Sequence, residues 1–218
     1  MRTALAACGT AVLIAAFSVT AAAAPVSSGH GLKKVHDPGR VTGTLHGHCA
    51  YRDHGQLPDP RCTPGSIDPA VTQADIRSTI CKSGYTRKVR PPEAQTERFK
   101  FRVAYPAYGT PQSERTELDH LVPLELGGSN DATNLWPEHP PVPNPKDKVE
   151  NALKAAVCAG RVRLAAAQNA IASDWLTAEK KLGIGGGAGA GGRAWCTASA
   201  SYNTVQVTVG TASCSTTA

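Results

Sequence analysis

The residues best equipped for chemistry lie between Glu117 and Glu138, in the run Glu-Leu-Asp-His-Leu-Val-Pro-Leu-Glu-Leu-Gly-Gly-Ser-Asn-Asp-Ala-Thr-Asn-Leu-Trp-Pro-Glu. Near its head Asp119 adjoins His120. A neutral imidazole can take a proton from water, and a carboxylate beside it can hold a hard cation, so the pair suits metal-assisted hydrolysis. In an extended strand the two side chains point to opposite faces, and a twist or bulge is needed for both to serve one pocket. Leu118, Leu121 and Leu124 anchor the segment, Gly127-Gly128 turns the chain back, and Asn134-Leu135-Trp136 begins a returning arm. A helix starting at Asn144 follows, so the expected outline is strand, turn, strand, helix. Glu117, Glu125 and Glu138 read as solvated or salt-bridged side chains. His46-Gly-His48 has the spacing to share a transition-metal ion, although these histidines sit in a stretch that reads as solvated loop.

In order and spacing, Asp119-His120, Pro123, Gly127-Gly128 and Asn134-Leu135 resemble the motif of the HNH nuclease family. The resemblance implies a ββα-metal core that hydrolyses phosphodiester bonds. By position, His120 is then the general base that takes a proton from the water attacking phosphorus. Asp119 ligates one divalent metal, Mg²⁺ or Mn²⁺, which neutralises charge on the phosphate and stabilises the leaving 3′ oxygen. Asn134 is structural, its amide holding the connecting loop and so fixing the orientation of the histidine. The chain departs from the family at the third position of the motif, where it has Pro143. The resemblance then assigns the second protein ligand to Asn144, one residue on, with His139 in its place for Zn²⁺ or Ni²⁺.

The elements that must position these residues are predicted as helices around the hairpin. Thr72 followed by Asp75 starts one that ends at Cys81, with Val71, Ile76 and Ile80 on its apolar side. A second spans Thr96 to Ala104, with Phe99 and Val103 inward and Arg98 and Arg102 on the opposite edge, placed to touch phosphate. A third has Asn144 as cap, Pro145 at its first position and Val149, Ala152, Leu153, Ala156 and Val157 on one stripe, ending at Gly160. A fourth runs from Leu164 to Lys181, burying Leu164, Ile171 and Trp175 against the third. Lys146, Lys148, Lys154, Arg161 and Arg163 are expected to contact backbone phosphates, giving sequence-independent binding.

Composition sets the frame. The chain has 218 residues, 23 Lys and Arg against 17 Asp and Glu, a net charge of +6 and a pI near 9.0, which favours a polyanionic partner. With 5% aromatics, 21 Gly and 16 Pro, much of it must be turn and loop, and a large multidomain enzyme is excluded. Arg2, the apolar run from Ala11 to Val19 and the small residues Ala21 to Ala24 read as a signal peptide over residues 1–24. No other segment is apolar enough for stable membrane insertion, so the expected location is secreted, extracellular or at the cell surface. Removing the leader leaves Cys49, Cys62, Cys81, Cys158, Cys196 and Cys214, an even set that implies disulfides in an oxidising compartment. Among the pairings open to them, the expected one joins Cys49 to Cys62, Cys81 to Cys158 and Cys196 to Cys214. Residues 25–60 read as a flexible arm, 61–182 as the nuclease-like domain, 183–193 as a Gly-rich linker and 194–218 as a small Cys-bounded β segment around Tyr202 to Val209.

The reading at this level is an α+β protein with a ββα-metal (HNH) core, accessory helices and disulfide braces. Its expected activity is that of a secreted, metal-dependent endonuclease on DNA, with RNA as a further substrate and low sequence specificity. The alternative is a non-catalytic cell-surface or wall binding protein that uses an HNH-like scaffold.

Overall fold

A computed structural model describes residues 31–139, 144–184, 199–200 and 203–204. Strand β1 (Lys33–Lys34) runs parallel to β2 (Ser66–Ile67), with Lys33 opposite Ser66. Helix α1 (Tyr85–Val89) is followed by α2 (Glu93–Phe99), by a π-helical turn (Lys100–Ala104) and, without interruption, by α3 (Tyr105–Tyr108). Strands β3 (Glu117–His120) and β4 (Leu135–Glu138) pair antiparallel, Glu117 opposite Glu138 and His120 opposite Leu135. Helices α4 (Lys146–Cys158), α5 (Leu164–Ser173) and α6 (Trp175–Lys181) come next, then the two-residue strands β5 (Ser199–Ala200) and β6 (Asn203–Thr204), paired with each other. The protein is thus a mixed α/β chain of small sheets and helices.

Local chemistry explains where these elements differ from the sequence-based outline. The expected helix from Thr72 to Cys81 is a succession of turns. The Ser78 and Thr79 hydroxyls donate to the Asp75 carbonyl and Thr72 donates to the Asp75 carboxylate, so side chains compete with the helical backbone. Val71, Ile76 and Ile80 are nevertheless buried. Helix α2 begins earlier than predicted, directly after Pro91-Pro92, with Glu93 in its positively polarised first turn. The predicted fourth helix is two, because Asp174 adopts an extended conformation and its carboxylate accepts from the Leu176 N–H at 3.0 Å, capping a new helix.

The main core is built by α4, α5 and α6 against the loop between β3 and β4. Val122, Leu126, Leu153, Val157 and Ile171 are all inaccessible there, and each contributes about 1.5–3 kcal/mol by burial. A second cluster packs Trp136 and Leu121 with Tyr108 and the cystine of Cys49 and Cys62. Both disulfides within the described residues follow the expected pairing, Cys49–Cys62 with Cα atoms 5.9 Å apart and Cys81–Cys158 with 5.7 Å. They fit an oxidising compartment. Cys196–Cys214, the signal peptide, most of the Gly-rich linker and most of the Tyr202 to Val209 segment lie outside the described residues. No helix among the described residues is long and apolar enough to cross a membrane.

Residues 32–60, expected as a flexible arm, belong to the same compact unit as the rest of the described chain. Leu57 and Cys49 join the cores, and buried polar anchors, which hydrophobic periodicity does not reveal, hold the rest. The buried Asp37 carboxylate accepts from the Asn130 N–H at 2.8 Å and from the Thr42 hydroxyl at 2.6 Å, while Lys33 pairs with Asp131 at 3.1 Å.

Candidate functional site

The loop between β3 and β4 is held by Asn134, which is fully buried. Its amide nitrogen donates to the carbonyls of Val122 and Ser129 at 2.9 and 2.8 Å. Its oxygen accepts from the N–H groups of Val122 and Ser66 at 2.9 and 3.2 Å. Both ends of the amide are therefore satisfied, the condition for a buried polar clamp. Gly127 turns the chain with φ +75°, and a Cβ on Gly128 would stand 1.8 Å from the Val122 carbonyl oxygen, so only glycine lets the loop close.

That closure brings Asn130 to His120. Asn130 Oδ1 lies 2.9 Å from His120 Nε2, and the Asn130 amide nitrogen donates to the carbonyls of Asp37 at 2.9 Å and Val89 at 3.0 Å. His120 is buried, and burial pushes its imidazole down to about 4, reinforced by the positive charges of Arg90 and Lys146 and opposed by Asn130 and Asp119. The ring is neutral at physiological pH.

His120 and Asp119 both line one cavity of about 310 Å³, together with Arg90, Thr86, Glu117 and Glu150. The strand ends at His120, and the adjacent side chains reach a shared pocket despite the alternation of a regular strand. Arg90 is exposed and has no carboxylate partner among the described residues. A guanidinium in that position is free to meet an anion.

Beneath the cavity lies a buried charge cluster. Lys146, in the first turn of α4, is fully buried. Its ammonium meets Asp119 Oδ2 at 2.8 Å, donates to the His120 carbonyl at 2.9 Å and forms a short bond to Glu150. Burial alone would lower its pKa, yet the carboxylates of Asp119, Glu150 and Glu138 outweigh that and raise it. Glu138 is fully buried with neither oxygen bonded, and burial next to Asp119 pushes its carboxyl up to about 10. Burial raises Glu150 to about 7, against the pull of Lys146. Glu117 is also raised, by burial and then by Asp119 and Asp147. The cluster thus holds more carboxyl groups than its one ammonium balances, so part of it stays protonated.

Several expected roles change. Lys146 was predicted to contact phosphate from the surface; it is instead the inaccessible counter-ion of Asp119, because the start of α4 is pressed against β3. Glu138 was predicted to be solvated or paired and is buried without a partner. Glu125 is salt-bridged as expected, to Lys154 at 3.2 Å. Lys148 is exposed, and so are Arg98 and Arg102, which face grooves on either side of α2.

The implied metal ligands do not fit as a set. Asp119 Oδ2 is taken by Lys146 and by the Trp136 indole N–H at 3.0 Å. Asn144 accepts from the Lys146 N–H at 2.9 Å as the helix cap and donates to Glu117 at 2.8 Å, so both ends of its amide are used. His139 pairs with Glu114 at 3.2 Å and packs edge-on to Tyr51, away from the lining of the His120 cavity. Among the described residues no three His, Cys, Asp or Glu side chains converge to hold a metal ion.

Asn130, Arg90 and Thr86 stand outside any motif legible in the sequence. For Asn130 the available signal was the polar trio Ser129-Asn130-Asp131 inside an otherwise apolar loop. No protein-family model, no curated protein and no solved structure matches this chain.

Proposed function

We propose that this protein is a secreted nuclease that hydrolyses phosphodiester bonds of DNA, and of RNA as a further substrate, at an HNH-like strand–loop–strand–helix site. The single observation that carries the reading is the cavity in which a neutral, buried His120 meets Asp119 and the unpaired guanidinium of Arg90. A neutral imidazole can take a proton from water at physiological pH. Arg90 suits a non-bridging phosphate oxygen, whose negative charge it would offset as the phosphorus becomes five-coordinate. Exposed Lys148, Arg98 and Arg102 offer further phosphate contacts that carry no sequence information. Asp119 Oδ2 and both ends of the Asn144 amide are occupied within the protein, which leaves proton transfer to His120 and charge offset to Arg90. A dependence on Mg²⁺ or Mn²⁺, or on Zn²⁺ or Ni²⁺, is an outcome of the scission assay.

A second reading rests on the occupation of Asp119 by Lys146 and of Asn144 by its cap and Glu117. In that reading the HNH-like unit is a scaffold, and the basic surface holds an anionic polymer at the cell surface or wall. Scission of supercoiled plasmid by the oxidatively folded chain, with Mg²⁺, Mn²⁺, Zn²⁺, Ni²⁺ or EDTA, separates the two. Nicking that His120→Ala abolishes supports the nuclease. DNA retardation that persists in EDTA, with no nicking under any metal, supports the binding scaffold.

A further inference from the structure

We infer that Asn130 is the positioning residue that decides which nitrogen of His120 exchanges protons with substrate water, and that this nitrogen is Nδ1. The inference rests on the nuclease reading for its catalytic meaning, but its structural content stands on hydrogen-bond directions alone.

The Asn130 side chain is tied at three points. Its amide nitrogen lies within hydrogen-bond distance of two groups that can only accept, the backbone carbonyls of Asp37 and Val89. An oxygen in that position would face two other oxygens, so the amide has one acceptable orientation, with NH₂ toward the carbonyls and Oδ1 toward His120. The backbone N–H of Asn130 in turn donates to the buried carboxylate of Asp37, which prevents the residue from swinging away. Oδ1 can only accept. His120 Nε2, 2.9 Å from it, must therefore carry a proton whether the ring is neutral or charged. The proton that comes and goes is the one on Nδ1.

Nδ1 makes no hydrogen bond among the described residues, and it is not one of the atoms sealed from solvent without a partner. His120 lines the cavity together with Arg90 and Asp119, and with Nε2 held by Asn130 the ring nitrogen left to serve that cavity is Nδ1. The donor to Asn130 fixes the ring plane, and Lys146 fixes the strand at the same residue by donating to the His120 carbonyl at 2.9 Å. The bare nitrogen is thereby aimed from two sides before substrate arrives. Positioning of this kind matters because a displacement of about 1 Å at a reacting group can cost on the order of 100-fold in rate.

The test begins with the full chain carrying ¹⁵N-labelled histidine. In long-range ¹H–¹⁵N correlation spectra at neutral pH, His120 is expected to show a pyrrole-type Nε2 with an observable attached proton and a pyridine-type Nδ1. The opposite assignment overturns the inference. In Asn130→Leu the protected Nε2–H signal is expected to disappear and turnover on plasmid to fall about 10- to 100-fold, with KM little changed. Asn130→Ala, which removes the same oxygen with less bulk, is expected to lose that signal as well, and a retained Nε2–H signal would overturn the positioning role. Wild-type turnover in Asn130→Leu would overturn the positioning role. If Asn130→Leu does not fold, the wild-type tautomer and the Asn130→Ala spectrum still decide. Should the wild type cleave nothing while showing the expected tautomer, the nuclease reading fails and the assignment of the ring does not.

Discussion

Replacing Lys146 with Met removes the ammonium of the buried cluster while keeping an unbranched side chain one atom shorter. Lys146 is 0% exposed, and its partners Asp119 and Glu150 are 11% and 15% exposed at their side chains. Breaking a buried pair by removing one member costs about 3–5 kcal/mol, because a charge is left without compensation. In a domain of this size each kcal/mol moves Tm by about 2–4 °C, so the expected loss is about 6–20 °C. The pH dependence has a definite sign. Burial already raises the Glu150 carboxyl against the pull of Lys146, so without Lys146 it rises further, and a raised carboxyl contributes stability that is present at low pH and lost as pH rises. The deficit against wild type is therefore larger near pH 8 than near pH 5, and urea denaturation followed by far-UV circular dichroism at both measures it. A deficit below about 1 kcal/mol, the range of an exposed pair, or one equal at the two pH values, would refute the buried-cluster reasoning.

Glu138→Gln removes a carboxyl whose folded pKa is raised to about 10. Its contribution is complete below the unfolded value and lost as pH rises toward that number, so the variant gains stability relative to wild type at alkaline pH and little at acid pH; thermal melts across the range check this. Gly128→Ala, whose Cβ would meet the Val122 carbonyl at 1.8 Å, prevents the loop from closing. By contrast Gly109→Ala, at φ +63° with open space around it, costs only about 1–2 kcal/mol, and soluble yield and denaturation midpoints separate the two. Cys81 and Cys158 are 77 residues apart and Cys49 and Cys62 only 13, so replacing the first pair with Ala costs about 4.5 kcal/mol and the second about 3 kcal/mol in denaturant titrations.

What was legible in the sequence was local. Asn144 caps α4, Gly127-Gly128 turns the loop, and Asn134 clamps it, because caps, positive-φ turns and buried amides are each specified within a few residues. Both disulfides within the described residues also follow the order of the chain. The site's electrostatics were not legible, since they depend on contacts distant in sequence. Asp37 reaches Asn130 across 93 positions, and Lys146 reaches the His120 carbonyl across 26. A lysine in a helix's first turn reads as a surface cation until the packing of that turn against β3 is known. His139 reads as a ligand by its place in the motif, yet it is held by Glu114 and Tyr51 and does not line the His120 cavity. In the arm, polar anchors replace the apolar periodicity by which ordered segments are usually recognised.

The most direct test of His120 as the base is single-turnover cleavage of end-labelled duplex DNA by wild type and His120→Ala, with each divalent metal and with EDTA. It is run at a temperature where melting curves show both proteins folded. The expected result is wild-type cleavage that the variant loses by about 100-fold or more, the scale of general-base catalysis. Equal cleavage by the two proteins, or none by the wild type under any metal, would contradict it.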